Sequence, residues 1–210
     1  MRKSIFLIIC LVAGLQAGWS QNTVESIRQR YADAKEYIDT HKGDNQYDGA
    51  EWGQYYYMEA SHWLAGTGGH KKKVWMYIGE KEGENEEELI YPPHYLTFAT
   101  KKYNYAAREF YEEYLYDEDG NVAFIYAYDP MVSFVDGTDD KEYEFRFYIN
   151  KGRLLKAIIK SRESGQKAFK EEFSGAQLNK MYQDTYQAYV SSAKSILQMF
   201  CDIERDAYYY

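Results

Sequence analysis

The four histidines, His41, His62, His70 and His94, are the first residues to weigh for a metal site. None pairs with another at the i, i+4 spacing that puts two imidazoles on one helical face, and no paired-cysteine pattern accompanies them. Asp117-Glu118-Asp119-Gly120-Asn121 places oxygens at alternate positions, as a calcium loop does. Its glycine comes fourth instead of sixth and no glutamate falls twelfth, so the segment reads as a hairpin turn. No GxSxG elbow surrounds Ser61-His62. Cys201 follows Phe200 on the apolar side of a helical stripe, which predicts a packed, inert thiol. Gly66–Gly69 lacks the spacing and the lysine of a phosphate loop. These absences assign no catalytic residue, no metal and no cofactor.

Carboxylates are abundant. Glu84, Glu86, Glu87 and Glu88 form a solvated acidic loop, and Glu109, Glu112 and Glu113 alternate with aromatics in a segment whose acids are expected on an exposed strand face. A glycosidase would need two carboxylates held several ångströms apart on a rigid frame, and spacing alone does not supply that. Lys71-Lys72-Lys73 is a local basic patch expected to keep a hairpin soluble. The aromatics are the most suggestive group: 24 tyrosines, 10 phenylalanines and 4 tryptophans. A tyrosine offers a rigid apolar face with a polar tip, which suits binding surfaces as well as sheet cores. Trp52, Tyr55, Tyr57 and Trp63 cluster within twelve residues and are the candidate ligand-binding residues, a platform for stacked sugars or an extended peptide.

The elements that would carry these groups follow from periodicity. The chain of 210 residues holds 25 basic and 33 acidic side chains. That balance argues against nucleic acid or an anionic membrane surface as partner. Arg2-Lys3, the apolar run Ile5–Leu15 and the small residues Gly18 and Ser20 have the form of a secretory leader, cleaved before Gln21 or, alternatively, after Ala17. Cys10 lies inside that run, without the setting of a lipidation site. Loss of the leader takes the net charge from −8 to −10 and leaves Cys201 as the one cysteine, so the 21–210 domain is expected to fold without disulfides. No other stretch is long and apolar enough to span a bilayer.

An Asn22/Glu25 cap followed by Val24, Ile27, Tyr31, Ala34 and Ile38 predicts a helix over 22–42, closed at Lys42-Gly43. Strands are predicted over 55–64, 74–78, 95–103, 109–117, 122–128, 143–149 and 154–160, with Asp119-Gly120 and Lys151-Gly152 as tight turns. The 109–117 segment also fits a helical stripe. A Ser174/Gln177 capping box opens a long last helix whose stripe is Leu178, Met181, Tyr182, Tyr186, Tyr189, Ala193, Ile196, Leu197 and Phe200. The expected fold is one α+β domain: an antiparallel meander of six to seven strands with the N-terminal and the long C-terminal helix packed on one face, the other face wet.

Lys101-Lys102-Tyr103, Tyr114-Leu115-Tyr116-Asp117-Glu118-Asp119-Gly120-Asn121 and Glu144-Phe145-Arg146-Phe147-Tyr148-Ile149-Asn150-Lys151-Gly152 resemble the aromatic hairpins of small secreted Bacteroidota proteins of unassigned activity. The resemblance covers roughly residues 95–160 and implies an exported origin, but transfers no site residue. Together these features predict a periplasmic or secreted, non-catalytic module binding glycan or peptide. The alternatives are a carboxylate-based hydrolase and an inhibitor or assembly partner of another exported protein.

Overall fold

The computed structural model describes residues 23–40, 55–66, 68–82, 85, 93–130 and 140–207. The leader with Cys10, the Asn22 cap, the Lys42-Gly43 helix end, Trp52 and the acidic residues Glu84, Glu86, Glu87 and Glu88 lie outside them.

Helix α1, Val24–Thr40, opens on a reciprocal cap in which the Ser26 amide donates to Thr23 Oγ1 (3.1 Å) and the Thr23 amide to Ser26 Oγ (2.9 Å). Eight strands follow: β1 Tyr55–Leu64, β2 Gly68–Glu80, β3 His94–Tyr105, β4 Arg108–Tyr116, β5 Val122–Asp129, β6 Lys141–Asn150, β7 Arg153–Glu163 and β8 Lys170–Gly175. Each pairs antiparallel with its sequence neighbour, so the sheet runs β1 to β8 in order. Helix α2, Lys180–Ala207, ends the described chain. The meander and both helices are as expected, and 109–117 is strand.

Three details differ. The strand count is eight, because Lys170–Gly175 carries Phe173 as its one large apolar side chain and shows no alternating pattern to read. Ser174 therefore belongs to β8, and the cap of α2 is Asn179, whose Oδ1 accepts the Tyr182 amide at 2.9 Å. The helices also lie on opposite faces of the sheet. Ile27 and Ile38 of α1 pack with Phe98, Leu115, Phe124 and Tyr148. Tyr186, Tyr189, Ala193, Ile196 and Phe200 of α2 pack with the alternate set, including Ala99, Tyr114, Ile125, Phe145 and Phe147. Consecutive buried pairs such as Phe98-Ala99 and Phe124-Ile125 are the reason, since neighbours on a strand point to opposite sides and both sides here need cover.

The two tight turns have the expected chemistry. Gly120 sits at φ 79°, while Lys151 (φ 46°) and Gly152 (φ 78°) both take the left-handed conformation a two-residue hairpin requires. On α2, Met181 is exposed at the helix start and Leu197 is half-buried against Gly120. Cys201 is exposed, not packed: one residue beyond the buried Phe200 the helix has turned about 100°, past the edge of its apolar stripe.

Candidate ligand-binding face

Alternation along β1 sends Tyr55, Tyr57 and Trp63 to the same side of the sheet, the α1 side. There Tyr55 meets Tyr77 with ring centroids 5.5 Å apart, and Tyr57 meets Trp75 at 5.1 Å. Trp63 is 76% exposed and lies opposite Gly69 in the register. The structure thus gathers three of the four candidate aromatics on one face and adds Trp75 and Tyr77 to them.

These rings form a shelf beside a deeper feature. A trough of about 790 Å³ lies at the β3–β4 turn end of the sheet. Lys71, Lys73, Lys102, Asn104, Tyr111 and Tyr128 wall it on this face, and Tyr103 and Phe110, of the opposite alternation, also line it. Helix α1 covers the other end of these strands and leaves this end open. Lys102 joins shelf to trough: its Nζ stands 5.9 Å over the Trp75 ring and 5.5 Å over the Tyr111 ring, cation–π distances. Lys71 and Lys73 face the trough, whereas Lys72 points to the opposite side. The basic run is therefore a wall of the trough, beyond the solubilising role expected of it.

The walls are held by committed polar groups. Asn104 Oδ1 accepts the Lys71 amide at 2.7 Å, and its Nδ2 donates to the carbonyls of Gly69 (2.7 Å) and Ala106 (3.0 Å). Ala106 holds φ 52° in the β3–β4 turn at the trough's end, a conformation L-residues rarely adopt. The Tyr128 hydroxyl donates to Glu142 Oε2 at 2.8 Å, and the Tyr111 hydroxyl donates to Glu113 Oε1. Glu113 also accepts from the Tyr31 hydroxyl and from Lys35 Nζ (2.7 Å), both on α1. Burial, then the Glu113 charge, pushes the Tyr31 and Tyr111 phenols far above their usual range. On the shelf, burial lifts Tyr77 to about 12. Glu59 is held below the usual carboxylate range by the Tyr57 hydroxyl and then by Lys73 and Lys71.

Glu113 and its neighbour Glu112 are each only 2% exposed, which overturns their expected place on an exposed strand face; Glu109 alone is exposed, at the trough. Alternation puts Glu112 beneath α2, where it accepts from Lys101 Nζ (2.8 Å), Ser192 Oγ (3.0 Å) and the Tyr114 hydroxyl. The signal that would have found it is its cross-strand partner, Lys101, directly opposite in the register. Asp129 lies near this cluster, with Oδ2 3.4 Å from the Tyr189 hydroxyl and a buried Oδ1 without a hydrogen-bond partner. Desolvation raises its carboxyl pKa, and the Glu112 charge adds to that.

Chemically, the opposite faces differ. Glu112 and Asp129 are packed between sheet and helix, and Glu112 lines neither the trough nor the smaller cavities of about 290 and 320 Å³ beside α1 and α2. The Asp117 loop turns its carboxylate inward: Oδ1 accepts the amides of Asp119 (3.1 Å) and Asn121 (2.8 Å), as a hairpin turn does. Among the described residues no group of three His, Cys, Asp or Glu side chains is placed to hold a metal ion, and no helix is long and apolar enough to cross a membrane. No protein-family model, curated protein or solved structure matches the chain.

Proposed function

We propose that this is an exported, non-catalytic binding module whose ligand, a glycan or an extended peptide, lies on the α1 side of the sheet. The observation that carries the proposal is the open trough of about 790 Å³ flanked by the Tyr57–Trp75 shelf. Its size falls within the roughly 300–1,000 Å³ of small-ligand sites. Planar rings supply contact area at low entropic cost. Export rests on the Arg2-Lys3 start and the Ile5–Leu15 run; intact-mass measurement of the secreted protein should give an N-terminus near Gln21. Screening against a glycan array and a peptide library should yield a ligand whose binding collapses in Trp75→Ala. Silence in both libraries would overturn the proposal.

A second reading is favoured by β1. It is an edge of the sheet among the described residues, ten residues long, with Tyr57, Trp63 and Leu64 exposed. Such an edge can accept a strand from another protein. Co-purification of a second exported protein, lost when proline replaces Ser61, would favour this reading over the first.

A further inference from the structure

We infer that the ligand of the trough is an acidic oligosaccharide, one bearing carboxylate or sulfate groups; this rests on the binding-module proposal and deepens it. Few donors on the trough wall remain uncommitted. Asn104 spends its amide on three backbone groups, and the hydroxyls of Tyr111 and Tyr128 already donate to Glu113 and Glu142. The groups left to meet a ligand are ammoniums. Elsewhere on the sheet, buried or half-buried cations stand against carboxylates: Lys35 with Glu113, Lys101 with Glu112, Arg146 with Glu144 and Arg162 with Glu142. Lys71 and Lys102 have no ion-pair partner among the described residues, and Lys73 reaches Glu59 only at 3.7 Å.

The register makes the concentration of charge specific. Lys73 stands directly across from Lys102 on β3 and from Glu59 on β1, so the one carboxylate meets only one member of this like-charge pair and an anion between the two lysines would meet both. Three lysines and one glutamate, Glu109, line the trough, with Glu59 beside Lys73 on β1, so cations still outnumber carboxylates there in a chain with an excess of acids. The local field is thus opposite in sign to that of the molecule.

The floor distinguishes sugar from peptide. It is the face of a sheet, whose backbone amides and carbonyls are spent on the β2–β3, β3–β4 and β4–β5 ladders. An extended peptide laid there would leave its own amides unpaired, a penalty for each one buried. A sugar carries its polar groups on its rim and presents an apolar ring face to Tyr111, Tyr128 and Trp75.

The test is titration calorimetry of the purified protein with tetragalacturonate, neutral cellotetraose and a hexaglutamate peptide, at low and high salt. Tetragalacturonate should bind at least about tenfold more tightly than cellotetraose, and salt should erase most of that margin by screening. Lys71→Gln combined with Lys102→Gln should remove the margin, while Lys72→Gln, on the opposite face, should keep it. Equal binding of the two sugars would overturn the acidic assignment yet leave the binding module standing. Tighter binding of hexaglutamate would overturn the sugar assignment. Failure of all three probes, in a protein that also finds no ligand in the libraries, would overturn inference and binding module together.

Discussion

Replacing Glu113 with alanine removes the acceptor shared by Tyr31, Tyr111 and Lys35. Lys35 is about a third exposed and can turn to water, but the two phenols are more deeply placed and would be left unpaired. Each such group costs about 1–3 kcal/mol. Glu113→Ala should therefore lower stability by about 2 kcal/mol or more, and hydrogen exchange should show the amides of α1 opening first. If those amides exchange no faster than in the wild type, Glu113 does not fasten α1. Asp129 is the opposite case. Its folded pKa is raised, so its ionisation is opposed by the fold and stability falls as pH rises through that value. Asp129→Asn should raise Tm by about 2 °C or more at pH 7, with the gain shrinking toward about pH 3, where the carboxyl is protonated in both states. A gain independent of pH would rule out the charge as its cause. Asp129 did not stand out in the sequence, and Glu113 was expected on an exposed face, since a glutamate between aromatics looks the same whether its strand face is wet or covered.

Helix α2 is the element whose burial pattern is most fully drawn. Ile196 is 3% exposed within the stripe and Lys194 lies on the outer side. Truncating a buried isoleucine removes transfer energy and leaves a cavity, at a cost of about 2–5 kcal/mol. Ile196→Ala should be destabilised to that extent in urea unfolding, and Lys194→Ala should shift by less than about 0.5 kcal/mol. Equal midpoints would mean the helix is not docked through this stripe. Seven strands and both helices were legible because alternation and helical spacing are strong where side chains are large and apolar. β8 was not legible, because an edge strand covered little on either side can be almost wholly polar. Helix placement failed for a different reason. The clean alternation of Tyr143–Phe147 showed one dry face, while the cover over Phe98, Phe124 and Tyr148 depends on contacts with α1, distant in sequence.

For the whole molecule, tyrosine sets the response to alkali. Burial, first among the causes, raises the phenols of Tyr103, Tyr114, Tyr116 and Tyr189 far above the ordinary value. Above about pH 10 the unfolded chain releases phenolic protons that the folded chain keeps, so stability falls as pH climbs. The part of the tyrosinate absorbance that belongs to these buried phenols should rise together with the loss of far-UV dichroism; completion of the whole tyrosinate titration before unfolding would contradict the burial. The candidate site was legible in kind, as aromatics near residues 55–63, but not in place. Much of its wall is built by Lys102, Asn104 and Tyr111 on two further strands, joined to Lys71 and Lys73 only by register. The strand order has a consequence for synthesis. Because every strand pairs with the one before it, the sheet can grow as the chain emerges, with no crossover between distant strands to wait for. Its second face, with Ile125, Phe145 and Phe147, nevertheless stays uncovered until the residues after Lys180 arrive. A nascent chain stopped before that point would present a nearly complete sheet with one greasy side, the form in which such a protein is most prone to aggregate and most in need of a chaperone.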